Sequence, residues 1–238
     1  MEEWQIDTLT ALMQSGSLSD VMEVSQRAAK LIGFEHYSWI YTTPVCLSRS
    51  STSTMTSSND TVHLRIRKGY YDKAPVLQGC LKSPLPVMWN GWPDDVLFAD
   101  VREMQEDYRA LGRRGGWAQS VVGSFGIRSI QVAASDGVID PSDMAHIDPY
   151  MRWLALVVHY HLYRHLEQRH RFQLSNRERE VLCWTADGLT AAQVAERLSI
   201  SASAVNFHLN NAMNALGAPN KTAAVVKAIL FGLLFPKA

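Results

Sequence analysis

Cysteine is scarce. Cys46, Cys80 and Cys183 are the three in 238 residues, odd in number and far apart. That spacing excludes a disulfide framework and a CxxC metal site, and it fits a reducing cytoplasm. Charge of one sign is equally absent. Lys and Arg total 23, Asp and Glu total 23, and the formal net charge is zero. A neutral chain has no global pull on nucleic acid or membrane, so DNA binding requires a local basic patch, or one doubled by dimerisation. Long apolar runs are also missing. The most apolar stretch, residues 153–162, is short and holds His159 and His161, which argues against a membrane span. The opening MEEWQIDTLT is acidic and amphipathic and does not read as a secretory signal. There is no internal repeat and no HExxH, and no Ser-His-Asp or Cys-His set stands out, so the chain does not read as an enzyme.

What is present suffices for a real core. Apolar residues make up 47% of the chain, and its length suits one or two domains. Residues 3–14 predict a helix broken at Ser15-Gly16-Ser17, and Ser19 or Asp20 is expected to cap a second helix that Gly33 ends. Residues 34–42 alternate as a strand does. Residues 48–60 are almost all Ser and Thr and predict a solvated loop. Pro75, Pro84, Pro86 and Pro93 interrupt the next stretch, 94–111 predicts a helix, and two strands follow around a turn at 123–126. Asp140-Pro141 opens a long helix to about His170, with a candidate break at Pro149. This order predicts an α+β fold, with an N-terminal α-β-α sandwich around an antiparallel sheet over residues 1–165. Residues 166–173 lose apolar character and read as the linker.

From residue 174 four helical segments follow, forming a C-terminal four-helix domain over 174–238. Ser175 and Glu178 make a capping box; Thr190, Ser201 and Asn220 start the later helices, and Gly188 and Gly217 stop two of them. Two helices across a tight turn, the second longer, is the helix-turn-helix layout. Along the third helix Val205, Leu209, Ala212 and Leu216 recur at core spacing. The opposite face carries Ser203, Phe207, Asn210 and Asn214, flanked by Asn206 and Asn211. An amide-rich face suits base reading, because Asn bonds adenine through two atoms and Phe207 can meet a thymine methyl. The bland alternative is a small helical bundle that binds nothing.

This segment resembles the C-terminal domain of the LuxR family of regulators, through Arg177-Glu178, Glu180-Val181-Leu182, Gly188, Val194-Ala195, Leu198, Ser201, Val205, His208, Leu216-Gly217, Asn220-Lys221 and Ala224 at ungapped spacing. The resemblance implies that Asn206, Phe207 and Asn210 touch bases and that Lys221 touches phosphate. It also implies that the last helix, with Val225, Val226, Ile229, Leu230 and Leu233, dimerises. The third helix departs from the family in having no Lys or Arg. Since neutralised phosphates supply most affinity, a modest salt slope is expected, with Arg177, Arg179, Lys221 and Lys227 supplied twice in a dimer.

The first 165 residues resemble the acyl-homoserine-lactone-binding domain of the family's quorum-sensing members, through GYYDKAP, PVMWNG, RRGGWAQS and the strand reaching Ser129. Tyr70, Pro75, Trp89, Gly116 and Ser129 fall on family positions. By that resemblance the Trp89 indole bonds the lactone carbonyl and Ser129 is a pocket hydroxyl. The departures fall on the chemistry. The family's Asp before the proline, which accepts the ligand amide, is Ala74 here, with Asp72 two residues back as a substitute. The family's pocket Tyr and Trp align with Ser57 and Thr61. Three readings stay open: an altered lactone site, a site for a different small molecule, or a domain that dimerises without ligand. The expected partners are an inverted-repeat DNA operator, a second copy of the chain, a small-molecule signal and RNA polymerase, with no cofactor, metal or membrane. An enzyme acting on a lactone is the rival class, and a partner that captures a related regulator in mixed dimers without binding DNA well is a third. His159, His161, His165 and His170 share the long helix, which reads as a partly exposed dimer surface rather than a metal site. GRRGGW (112–117) reads as a turn, not a phosphate loop.

Overall fold

The computed structural model describes residues 1–46, 49–57, 62, 64–65, 68–123, 127–169 and 172–234. The chain divides into two compact units, one of Met1–Thr42, Thr52–Gly123 and Arg128–Leu166, the other of Thr43–Ser51, Ser124–Ile127 and Glu167–Ala238. Together they make the expected α+β fold.

In the first unit α1 (Glu3–Gln14) leads to α2 (Leu18–Ile32). Ser17, not Ser19 or Asp20, caps α2. Its hydroxyl accepts from the Asp20 N–H at 3.1 Å while the Asp20 carboxylate accepts from the Ser17 N–H at 2.9 Å, a reciprocal box that needs the three-residue spacing. Gly33, at φ 116°, ends the helix in the left-handed region, as expected.

β1 (His36–Cys46) follows, and within the loop expected over 48–60 residues Arg49–Thr56 form β2, residues 48 and 58–60 lying outside the described residues. Thr residues favour extended backbone, and the polar strand sits at a sheet edge. Its hydroxyls find partners there: Thr56 Oγ1 lies 2.6 Å from Ser38 Oγ, and the Tyr37 N–H donates to Ser57 Oγ at 2.9 Å.

α3 (Pro75–Lys82) begins at a proline instead of being broken by it, since the missing N–H falls in the first turn. β3 (Val87–Trp89) comes next. The helix expected over 94–111 is split into a 3-10 turn (Val96–Phe98) and α4 (Arg102–Ala110). Asp95 causes the early turn, accepting from the Leu97 and Asn90 N–H groups at 3.0 and 2.8 Å.

β4 (Gly115–Val122) and β5 (Arg128–Ser135) pair antiparallel in the register Gly115↔Ser135 to Val122↔Arg128. The sheet order is β2-β1-β5-β4-β3, with β1 antiparallel to β5 and β3 to β4. α5 (Pro141–Arg169) runs through Pro149 without a break.

Strand alternation gives the sheet two faces. On one, Tyr37 donates to Gln131, Trp39 to the Met22 sulfur of α2, and Trp117 to Asp148 of α5 at 2.7 Å. On the other, Ile130, Val132, Ala134 and Ala118 join a buried cluster with Trp89, Phe98, Tyr108, Val76 and Ala74. Gly116 makes that packing close. A Cβ there would stand 2.1 Å from Trp89 Cζ2 and 2.5 Å from the Ala133 carbonyl oxygen, so only glycine fits.

The second unit holds α6 (Asn176–Ala186), α7 (Ala191–Leu198), α8 (Ala202–Ala215) and α9 (Lys221–Leu230). Ser175, Thr190, Ser201 and Asn220 each accept a helix N–H, as their spacing predicts. Val181, Leu182, Val194, Val205, Ala212, Leu216, Ala224 and Ala228 form the buried core, against which Phe172 and Leu174 pack. Among the described residues no helix is long and apolar enough to cross a membrane.

Candidate functional site

A cavity of about 720 Å³ opens on the second face of the sheet. Ser38 and Ile40 of β1, Thr52, Ser53 and Thr54 of β2, and Val132 of β5 form its floor. Val76 and Leu77 of α3, Tyr108 of α4, and Val62, Gly69, Tyr71, Asp72 and Arg113 from the connections complete the lining. Tyr71 and Tyr108 meet edge to face, with centroids 5.7 Å apart, and burial pushes both phenols up from their ordinary range. The volume falls in the span of roughly 300–1,000 Å³ usual for small-molecule sites.

The ligand residues inferred from the sequence are not gathered there. Asp72 lines the cavity and is exposed. Tyr70 is 45% exposed and stacks edge to face on Tyr71, with the Arg65 guanidinium 5.3 Å over its ring. Ala74 is fully buried at the cap of α3 and packs in the core behind the cavity. The Trp89 indole is 2% exposed, and its N–H donates to the Arg113 carbonyl at 3.3 Å, an internal use in place of the expected lactone carbonyl. Ser129 lies on the opposite sheet face, because it alternates with Ile130 and Val132. Its hydroxyl lies 2.7 Å from His159 Nδ1 on α5. Thr61 lies outside the described residues. Ser57 is half-buried at the end of β2, bonded to the Tyr37 backbone.

Two histidines on α5 also sit differently from expectation. His159 and His161 are buried rather than partly exposed, and burial pushes His159 down to about 4. His165 is half-buried, and His170 lies outside the described residues.

The residue that composition and motifs missed is Arg113. Its neighbours in GRRGGW predict a solvated turn, and Gly112 does turn there at φ 68°. Arg113 itself is only 8% exposed. Its Nη2 donates to Ser38 Oγ at 3.3 Å and to Thr56 Oγ1 at 3.5 Å, and burial pushes its pKa down. No local signal marks it; it is buried by strands far away in the chain.

The second candidate surface is on α8. Val205, Leu209, Ala212 and Leu216 are buried, as their spacing predicts. Ser201, Ser203, Asn206, Phe207, Asn210 and Asn214 are exposed, Phe207 at 60%. Phe207 thus stands as an exposed apolar ring among amide side chains.

The basic residues around this surface are fewer than their count suggests. Lys227 donates to the Leu216 and Gly217 carbonyls at 3.0 and 2.9 Å and so caps α8. Arg177 pairs with Glu180 at 2.8 Å. Lys221 stands exposed in the first turn of α9. Val225 of α9 and Leu233 beyond its end pack on the core, whereas Ile229 of α9 is exposed.

Comparison with known proteins bears on both surfaces. Residues 17–162 match the autoinducer binding domain, and residues 172–228 match the bacterial regulatory proteins of the luxR family. The transcriptional activator protein AnoR of Acinetobacter nosocomialis is 28% identical over 98% of this chain and 100% of its own length. The crystal structure of Escherichia coli SdiA matches at a TM-score of 0.80 and 27% identity, over 98% of each chain. SdiA in complex with octanoyl-rac-glycerol matches at a TM-score of 0.80 and 25% identity, over 100% of each chain.

Proposed function

Because the chain belongs to the LuxR family of bacterial regulatory proteins, with an autoinducer-binding domain ahead of its helix-turn-helix, we propose that it binds an inverted-repeat operator as a homodimer whose occupancy is set by a small molecule in the N-terminal cavity. As a family member it is a quorum-sensing type transcriptional regulator and not an enzyme. The observation that carries the finer reading is the exposed face of Asn206, Phe207 and Asn210 on a helix whose other side is locked in the core. Ser201, Ser203, Asn214 and Lys221 extend that face toward phosphates. The cytoplasm is the compartment this role requires, and RNA polymerase is the partner through which an activator would work.

A ligand that binds only the folded, dimer-competent state shifts the population toward DNA binding. An acyl-homoserine lactone is one candidate. An altered ligand is favoured by Ala74, which offers no acceptor to an amide, by the Trp89 indole held on Arg113, and by Ser129 facing α5. The complex of the relative SdiA with octanoyl-rac-glycerol supports the same direction. Those three features also keep a ligand-independent regulator in view.

The test is DNA binding by protein made in a host without lactones, titrated with and without N-octanoyl homoserine lactone and octanoyl-rac-glycerol. A ligand that tightens binding at least tenfold supports the sensing reading; operator binding unchanged by either supports the ligand-independent one. With few free cations on α8 and α9, the log–log salt slope is expected to be about −4 or shallower for a dimer, and a slope near about −10 contradicts it.

A further inference from the structure

The solvent face of α8 is rich in amide and has no formal charge. On a helix of 3.6 residues per turn, Asn206, Asn210, Ser203, Asn214, Phe207 and Asn211 fall in that angular order within about 140°. Asn211 is half-buried and the other five are exposed. Val205, Leu209, Ala212 and Leu216 take the opposite side and are buried. α8 carries no Lys, Arg, Asp or Glu. Cations elsewhere in the unit are engaged: Lys227 by the carbonyls that end α8, Arg177 by Glu180, and Arg197 by the Trp184 ring, 4.7 Å from its centroid. Lys221 stands exposed on α9, off the amide face.

Base chemistry narrows what such a face can recognise. In the major groove guanine shows two acceptors, which the donors of Arg or Lys match best. Adenine shows an acceptor beside a donor, and one carboxamide supplies the complementary pair. Asn206 and Asn210 stand about 6 Å apart along the helix axis. That is close to two base steps of roughly 3.4 Å, so each can meet its own adenine. A phenyl ring neither donates nor accepts. Thymine offers it an apolar group in that groove, the C5 methyl. The Phe207 ring is 60% exposed and meets the His208 ring edge to face at 5.5 Å, so it stands ready for an apolar contact.

Resting on the operator reading above, we propose that α8 specifies A·T pairs: Asn206 and Asn210 each take an adenine, and Phe207 covers a thymine methyl. Within each half-site the positions under α8 are then fixed by adenine and thymine and not by guanine.

The experiment selects sites for the full-length protein from random duplex DNA and remakes the recovered repeat with altered bases. Deoxyuridine in place of thymine removes the methyl and keeps the pairing. 7-Deazaadenine in place of adenine removes the N7 acceptor. Each selected thymine and adenine is exchanged in turn, and binding is followed by anisotropy. The wild type is expected to lose about fourfold in affinity at one thymine per half-site, the worth of one buried methyl. Phe207→Ala is expected to bind the thymine and deoxyuridine operators equally. 7-Deazaadenine is expected to weaken the wild type about fivefold, the worth of one hydrogen bond, and to leave unchanged whichever of Asn206→Ala and Asn210→Ala has lost that contact. Thermal melting confirms that each variant folds; should one fail, the wild-type comparison of thymine with deoxyuridine still decides. A half-site fixed by G·C pairs, binding indifferent to deoxyuridine at every thymine or to 7-deazaadenine at every adenine, or a deoxyuridine loss that survives Phe207→Ala overturns the proposal while leaving the operator reading intact. If no inverted repeat is recovered, the operator reading falls and the proposal falls with it.

Discussion

In the C-terminal unit the residues proposed to meet DNA, from Ser203 to Asn214, all lie on α8, one side exposed and the other buried. In the N-terminal unit the cavity collects Ser38, Tyr71, Arg113 and Val132 from segments spread over most of that unit. The first site is made by helix periodicity, the second by strand register and chain crossings. A substitution on the exposed face of α8 therefore changes the surface without disturbing the fold, whereas one at the cavity wall acts on site and stability together.

The largest effect that sharpens this contrast is Gly116→Val. With Trp89 and the Ala133 carbonyl in the space a side chain needs, the N-terminal unit should lose about 3 kcal/mol or more, an overpacking cost. Urea unfolding followed by tryptophan emission measures it, and wild-type stability would show that the sheet does not depend on that close approach.

The next effect is set by pH and lies on the opposite sheet face. His159 is neutral when folded, at about 4, whereas an unfolded histidine titrates near 6.5. Its contribution to stability is complete above pH 6.5 and is lost as the pH falls from 6.5 to 4, because only the unfolded chain binds the proton there. The loss is of order 3 kcal/mol at most. Denaturation midpoints across that range should fall in the wild type and stay flatter in His159→Gln; parallel curves would remove His159 as the cause.

On α8 the expected pattern is the reverse, with function lost and stability kept. Asn206→Ala should weaken operator binding by about 10-fold or more, the worth of a bidentate base contact, without moving the melting temperature. Anisotropy on labelled DNA beside a thermal melt checks both; a shifted melt with unchanged affinity would assign Asn206 to the fold. The smallest effect is Ser201→Ala, which removes the hydroxyl accepting the Ala204 N–H at 3.1 Å and should cost about 1 kcal/mol in the C-terminal unit.

This contrast also explains what was legible in the sequence. Caps at Ser175, Thr190, Ser201 and Asn220, and the period of Val205, Leu209, Ala212 and Leu216, depend on neighbours within a few residues, so they could be read directly. The Ser/Thr run hid β2, because its polar composition resembles a loop and only pairing at the sheet edge makes it a strand. Ser129 could be placed on a strand but not on a face, since a one-residue change in register exchanges cavity for α5. Arg113 gave no sign at all: an Arg-Arg pair beside a glycine looks solvated, and its burial comes from β1 and β2.

The central claim, that a symmetric pair of α8 helices reads DNA, is tested most directly by selecting sites from random DNA and weighing the complexes formed. The account predicts recovery of an inverted repeat, with half-sites about 10 bp or a multiple apart, bound by two chains and lost in Asn206→Ala. Recovery of asymmetric or unrelated sequences, or a single chain per site, would contradict it.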